Sequence, residues 1–543
     1  MERWKSMIDA DRSRMYKEQG LWKDDDTVLS HFTRNAARNP DKVAIVDYRQ
    51  GKGKRSITYA ALDQARRAWA TYFVSLGVER GDVVSFQLPN WWEHAGIYLA
   101  CLTIGAVSNP LMPIFRELEL EVMLKLGKTR IFITPVEFRG FRHDLMAAEL
   151  KKRLPTLAHV LTVDHLHEHL STDKSHDEAW QPSAADDVVQ LLYTSGTTGV
   201  PKGVMHTGNT LFSGIRSFIT NLQLNENEVV FMGSPLGHQT GFLYGMILPL
   251  VLGGQAAFVD IWDARRAIDI MEAERATFTM ASTPFLTDLV NPSLTHGRDI
   301  SAFRIFICGG APIPRELVQK GNELLGAKIL SIWGMSEVGI ATMVRLDDPP
   351  ERAFMSDGVA LPGYEVRAVA PDGTPVPAGE EGELQTRGPA VAVGYLERPD
   401  LYEMDAEGWF SSGDLGVFDA NGYVRISGRS KDIIIRGGEN VPVVEVEMAL
   451  LKHPAVHDVV VVAMPDERLG ERGCAFVVPA SDASFTLAEM QAYLSSLGMA
   501  KNYWPEHIEL VTDLPRTLTG KVQKFLLRKR AAEITRGERN GGN

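Results

Sequence analysis

Apolar positions along the chain fall into short runs separated by longer mixed stretches. Val83–Leu88, Arg130–Thr134, Val229–Met232, Ala256–Val259 and Phe303–Cys308 are rich in β-branched residues and read as buried strands, while Tyr59–Leu76 and Ala264–Glu274 have helix length. Their alternation predicts an α/β fold in which mostly parallel sheets are covered by helices. After about residue 360 the runs shorten and turn signals crowd in, as at Pro371-Asp372-Gly373-Thr374 and Asp419-Ala420-Asn421-Gly422, which predicts a β-rich subdomain closing the large domain. From Lys431 onward a strand (Ile433–Ile435), a glycine-rich turn, a helix (Val443–His453), a strand (Val459–Ala463) and a final helix after Leu526 predict a compact α+β unit. This reading divides the chain into an N-terminal domain, 1–428, a hinge, 429–431, and a C-terminal domain, 432–543. No period repeats through it.

The stretch Thr240–Val259 carries no charge and is long enough to span a bilayer, but Gly241, Gly245, Pro249, Gly253, Gly254 and Gln255 interrupt it. A buried helix, a Gly-Gly turn and a strand are expected there instead. The N-terminus lacks an apolar core of signal-peptide length and the C-terminal Asn-Gly-Gly-Asn carries no sorting or lipidation signal, so a cytoplasmic protein without membrane insertion is expected. With 57 Lys plus Arg against 69 Asp plus Glu, the net charge of −12 argues against a nucleic-acid partner and for small molecules. Cys101, Cys308 and Cys474 lie far apart and suggest neither a zinc site nor a redox pair.

The sharpest local signal is Tyr193-Thr194-Ser195-Gly196-Thr197-Thr198-Gly199-Val200-Pro201-Lys202-Gly203, directly after the apolar run Val188–Leu192. Three glycines allow close backbone approach to a phosphate, hydroxyls and N–H groups donate to its oxygens, and Lys202 adds charge. The position of Lys202 between Pro201 and Gly203 departs from the nucleotide-binding G-x-x-x-x-G-K-[ST] loop. Read without its neighbours, the stretch could also be a Ser/Thr/Gly linker.

Together with Trp333-Gly334-Met335-Ser336-Glu337, Ser412-Gly413-Asp414, Gly428-Arg429 and Pro515-Arg516-Thr517-Leu518-Thr519-Gly520-Lys521, this loop resembles the adenylate-forming acyl-CoA synthetase superfamily, in order and spacing, from about residue 25 to 530. Asn90-Trp91-Trp92-Glu93, Asn109–Arg116, Thr277–Leu289 and Gly438–Glu445 most resemble cyclohexanecarboxylate-CoA ligases, with medium-chain fatty acyl-CoA ligases close behind.

The resemblance implies an enzyme that activates a carboxylic acid with ATP as acyl-AMP and passes the acyl group to coenzyme A. A carboxylate attacking a polyanionic triphosphate needs positive charge at the α-phosphorus and the leaving pyrophosphate. Glu337 and the Thr194 hydroxyl match the family's Mg²⁺ ligands, although Glu337 alone reads equally as an acid after a Ser helix cap. Thr194, Ser195, Gly196, Thr197, Thr198, Gly199 and Lys202 match its phosphate loop. Gly310, Ala311 and Pro312, in a turn that could also be a plain βα connection, border the adenine beside Trp333, Gly334, Met335 and Ser336. Asp414, assisted by Arg429, accepts from the ribose hydroxyls. The resemblance implies that Lys521 reaches the carboxylate and α-phosphate from a mobile C-terminal domain, which turns at Lys431 to present Arg436, Gly437, Gly438 and Glu439 to CoA, although Gly437-Gly438 before a helix is also an ordinary turn. By resemblance, too, a homodimer and a lysine acetyltransferase acting on Lys521 are expected partners.

For the acid, Pro235–Phe242 occupies the position where amino-acid-activating relatives keep an aspartate, and no acid stands there. His238, Gly241, Phe242, Thr283, Gly309, Met335 and Ile340 are expected to line an uncharged pocket suited to an alicyclic or medium aliphatic acid, with His238 near the carboxylate. His165, His167 and His169 alternate as strand metal ligands could, but lie in a polar connection and are expected to form a solvated loop. A carrier-protein acyl loader and a non-catalytic nucleotide-binding regulator are the rival functions.

Overall fold

The computed structural model describes Trp4 and residues 10–170, 180–194, 201–310, 313–432, 434–436, 439–466, 468–480, 485–517 and 520–540. Two large sheets form the frame. One orders nine strands as Val359–Ala360, Gly339–Met343, Lys328–Met335, Ile305–Gly309, Phe278–Ser282, Val229–Met232, Gln255–Val259, Val43–Arg49 and Gly53–Thr58. From Lys328–Met335 to Val43–Arg49 every pairing is parallel, and the flanking strands run antiparallel. Such strands are covered on both faces, which is why Val229–Met232 and Ile305–Cys308 read as continuous apolar runs. The second sheet orders Gly394–Tyr395, Lys202–Thr207, Val188–Thr194, Val107–Leu111, Val83–Gln87, Ile131–Thr134 and His159–Thr162. The expected α/β architecture is therefore present.

The expected β-rich region is a four-stranded antiparallel sheet, Glu365–Val369, Glu381–Arg387, Phe410–Phe418 and Val424–Arg429. Beyond it, Ile434–Arg436, Glu439–Val441, Val456–Asp466, Gly470–Pro479 and His507–Leu510 build a separate sheet with its own core around Val446, Val461, Phe485 and Leu494.

Thr240–Val259 is a buried helix, a turn and a strand, as expected, but the helix begins with eight residues in π geometry, Thr240–Ile247, before the α-turn Leu248–Leu252. Gly253 ends it in the left-handed conformation, φ 78°. Among the described residues no helix is long and apolar enough to cross a membrane.

The histidines at 165, 167 and 169 do not form a solvated loop. Thr162 caps a short helix, Val163–Glu168, by accepting from the His165 N–H. The helix lays His167 flat on Trp92 (centroids 5.7 Å, planes 7° apart), with its Nε2 2.9 Å from the buried Glu93 Oε1. His165 bonds the Tyr72 hydroxyl at 2.8 Å and His169 stacks on the Tyr72 ring. Aromatic partners from two other helices decided the conformation, and none of them is visible in the local pattern. Among the described residues no cluster of three or more His, Cys, Asp or Glu is arranged to hold a metal.

Candidate active site

Parallel strands end their carboxyl termini along one edge, where open α/β sheets take ligands. Ser282 lies beside Gly309 and Gly309 beside Ile332, so Thr283, Gly310 and the Trp333–Ser336 segment leave the sheet side by side. In the other large sheet, Lys202 lies directly opposite Thr194 in an antiparallel pair. Ser195, Gly196, Thr197, Thr198 and Gly199, between them, lie outside the described residues, as do Ala311 and Pro312.

The C-terminal unit inserts its Lys521 loop at this edge. Gly520 has φ +81°, and a methyl there would come within 2.9 Å of Pro284 Cγ and 3.2 Å of Ser282 Oγ, so only glycine fits the contact. The Lys521 N–H donates to Thr517 Oγ1 at 3.1 Å, and its Cε packs over Gly310, 3.2 Å from where a methyl would stand. Lys521 keeps contact with solvent. Protein mass around the ammonium lowers its pKa, the Arg429 guanidinium adds to the effect, and the Asp414 and Glu337 carboxylates oppose it. The C-terminal lysine thus stands within the field of three other residues matched to the nucleotide site.

Asp414 is buried and tied on both oxygens. The Trp333 indole N–H donates to Oδ2 at 2.8 Å, and Arg429 Nε is 2.8 Å from Oδ1. Each oxygen retains a lone pair for a hydroxyl donor.

Glu337 stands in the turn of the hairpin Lys328–Met335 and Gly339–Met343. The turn is too tight for a side chain at Gly334, where a methyl would lie 2.1 Å from the Gly339 carbonyl oxygen. Four groups fix it. His206 Nε2 donates to the Ser336 carbonyl at 2.7 Å, the Ala392 N–H to the Glu337 carbonyl at 2.7 Å, and the Tyr364 hydroxyl to the Val338 carbonyl at 2.8 Å. The Tyr395 hydroxyl donates to Glu337 Oε1 at 2.8 Å, and the Lys202 ammonium sits 4.7 Å from the centroid of the same ring. Burial pushes the His206 pKa down to about 4, so His206 is neutral and can donate from Nε2 while Nδ1 accepts from Thr210. His206, Tyr364 and Tyr395 were not found by sequence reasoning, since none stands in a motif with its partner. Glu337 and Thr194 supply a carboxylate and a hydroxyl, the hard oxygen donors that suit Mg²⁺.

Among the residues expected to line the acyl pocket, His238 Nδ1 accepts the Thr240 N–H at 3.3 Å. Burial first and the Lys521 charge second push its pKa down to about 3, so the ring is neutral. Ile340 pairs beside Gly334 and Met335 beside Gly339, which puts both at the Glu337 hairpin. Thr283 Oγ1 is 3.7 Å from Cys308 Sγ on the neighbouring strand, and a methyl at Gly309 would meet Ile332 at 2.5 Å. Gly241 packs against the Pro235 carbonyl, and Phe242 is fully buried with its ring edge-on to Tyr98 at 5.0 Å. Of the residues matched to CoA, Arg436 pairs with Glu506 at 2.6 Å. Gly437, Gly438 and the Glu439 side chain lie outside the described residues, as does the side chain of Lys431, whose backbone forms the turn Ser430–Asp432.

Residues 32–396 match the AMP-binding enzyme family, and residues 445–521 match the AMP-binding enzyme C-terminal domain. The chain is 41% identical to the medium-chain fatty-acid–CoA ligase of Escherichia coli, over 95% of this chain and 92% of that protein. It is 30% identical to the 2,3-dihydroxybenzoate-AMP ligase of Bacillus subtilis, over 95% and 96%. Among solved structures, ATP-bound MatB from Rhodopseudomonas palustris superposes with a TM-score of 0.85 at 29% identity, over 94% of this chain and all of that one.

Proposed function

The chain belongs to the AMP-binding enzyme family, as an adenylate-forming acyl-CoA synthetase, and on that premise we propose that it activates a cycloaliphatic carboxylic acid of the cyclohexanecarboxylate kind with ATP and transfers the acyl group to coenzyme A. The observation that carries the adenylation step is the docking of Lys521 over Gly310, within the field of Arg429, Asp414 and Glu337. There the ammonium can hold the acid's carboxylate against the α-phosphate and offset charge as the bond forms. Asp414, oriented by Trp333 and Arg429, accepts from the ribose. Thr194, Lys202 and the loop between them take the triphosphate. Glu337 and Thr194 would hold Mg²⁺, which supplies charge neutralisation for the leaving pyrophosphate. His238, neutral and with Nδ1 accepting from Thr240, closes the acyl side and can offer the carboxylate its Nε2–H.

For the second half-reaction, we assign the hinge to Lys431 and the CoA contact to Arg436, Gly437, Gly438 and Glu439. Rotation there would carry Lys521 out of the cleft. The three buried cysteines, with no disulfide among the described residues, suit a reducing, cytoplasmic setting.

Acid-dependent exchange of pyrophosphate into ATP, followed by CoA-dependent AMP release, tests the reaction. Failure of exchange leaves a nucleotide-binding regulator, and exchange without CoA-dependent release leaves a carrier-protein loader. The second substrate reading, a medium-chain fatty acid, is favoured by the 41% identity to the E. coli enzyme. A competition among cyclohexanecarboxylate, benzoate, hexanoate, octanoate and decanoate separates the two. A pocket filled by a saturated ring should favour cyclohexanecarboxylate over benzoate by about tenfold in kcat/KM, since each lost methylene contact is worth ~1–3 kcal/mol. A win for decanoate transfers the assignment to medium-chain acids.

A further inference from the structure

We propose that Arg12, in the helix Ala10–Glu18, is a positioning residue for Glu337, acting through the backbone of residues 391 and 392. The inference rests on the reading of Glu337 as a nucleotide-site carboxylate. Arg12 Nη1 donates to the Ala392 carbonyl at 3.1 Å and Nη2 donates to the Val391 carbonyl, across 380 and 379 residues of sequence. Ala392 is also the residue whose N–H donates to the Glu337 carbonyl at 2.7 Å, and Tyr395, three residues on, holds the Glu337 carboxylate. One side of the 391–392 backbone is therefore pinned by a guanidinium and the other side pins the hairpin turn.

The guanidinium is itself built in. It lies 5.8 Å from the Tyr16 ring centroid and 5.6 Å from that of Trp22, two rings 5.2 Å apart. Trp22 is buried and its indole N–H donates to the Pro389 carbonyl at 2.8 Å, so the same arm grips three carbonyls of one loop, at 389, 391 and 392. Arg12 also contributes to the lowered pKa of His206, the residue bonded to Ser336. Disfavouring protonation keeps the Nδ1 lone pair of His206 as the acceptor for the Thr210 hydroxyl. The side chains of Ala390, Val391 and Val393 are buried in the core, and the Ala392 carbonyl also accepts from the Tyr402 hydroxyl, so Arg12 adds to a packed loop a charged donor to two consecutive carbonyls. The strap comes from the other end of the chain.

The test compares wild type with Arg12→Ala and Arg12→Lys, using Arg14→Ala as the control on the same helix, where Arg14 pairs with Asp11 at the surface. Two readouts are taken: amide hydrogen exchange over residues 333–340 and 388–396, and the Mg²⁺ dependence of acid-dependent ATP–pyrophosphate exchange. Loss of charge-assisted hydrogen bonds should speed exchange in both segments by about tenfold, with Val229–Met232 unchanged, and raise the Mg²⁺ half-saturation by about the same factor. Arg12→Lys should recover part of both, and Arg14→Ala should match wild type. Unchanged hydrogen exchange at 333–340 in Arg12→Ala overturns the proposal. So does faster exchange with unaltered Mg²⁺ dependence, where Glu337→Gln does alter it. If wild type shows no acid-dependent pyrophosphate exchange, the proposed function fails, and if Glu337→Gln leaves the Mg²⁺ dependence unmoved, the metal role of Glu337 fails and takes the proposal with it.

Discussion

The Tyr395 hydroxyl stands 2.8 Å from Glu337 Oε1, donating to it. Burial and the neighbouring Glu337 charge raise the phenol pKa, so the group remains a donor throughout the working pH range. The phenol thereby fixes the orientation of the Glu337 carboxylate.

Tyr395→Phe keeps the ring beneath Lys202 and removes only the donor. Losing a hydrogen bond to a charged group costs about 1.5–3 kcal/mol. Pyrophosphate exchange at subsaturating Mg²⁺ should fall by roughly tenfold or more and recover in part as Mg²⁺ is raised. A Mg²⁺ titration of both proteins decides it, and superimposable curves would show that the bond does not orient Glu337 for the metal.

Lys521→Ala should reduce adenylate formation by about 10²–10³ while leaving CoA transfer from supplied acyl-AMP largely intact, because the ammonium reaches the cleft only when the Gly520 contact with Pro284 is made. The two half-reactions are measured separately. Equal losses in both would mean that the docked arrangement serves both steps. Acetylation of Lys521 removes the same cation and should inactivate in the same way, reversed by deacetylation.

Trp333→Phe deletes the indole donor to Asp414 and leaves an aromatic face. The KM for ATP should rise about fivefold, the effect of roughly 1 kcal/mol, with kcat little changed, because Arg429 still orients the carboxylate. A fall in kcat with unchanged KM would move Trp333 from ribose orientation to the chemical step.

His94 and His206 are both buried, and burial pushes each from 6.5 down to about 4. Between those values the unfolded chain binds more protons than the folded one, so stability rises with pH across the window. It is fully present above pH 6.5 and is lost as pH falls toward 4. Urea midpoints measured from pH 7.5 to 4.5 should decline, and His206→Gln, which retains an N–H donor for Ser336, should decline less steeply. Parallel slopes in the two proteins would show that His206 is not one of the titrating groups.

The parts of the site legible in the sequence are those where chemistry and chain neighbourhood coincide. The glycine-rich run after Val188–Leu192, the Trp333–Glu337 turn and the Lys521 loop each announce themselves within a dozen residues. The clamps on Glu337 do not, because His206, Tyr395 and Arg12 reach it or its loop across 130, 58 and 380 residues. Only pairing between Lys202–Thr207 and Gly394–Tyr395 brings two of those clamps to one place. The helix Val163–Glu168 was missed for a related reason: its histidines are placed by Trp92, Glu93 and Tyr72, partners about 70–100 residues earlier.

The eight π-helical residues from Thr240 to Ile247 make chain length itself a variable of the proposed acyl pocket. A π-turn holds about one residue more than an α-turn, and each residue of an α-helix turns the chain by about 100°. Deleting one residue within the stretch can be absorbed by reverting to α geometry, leaving the buried run Leu248–Leu252 in place and swinging Gln239 and His238 around the helix axis. Such a deletion would redirect His238 without changing the volume of any side chain, an outcome no point substitution produces.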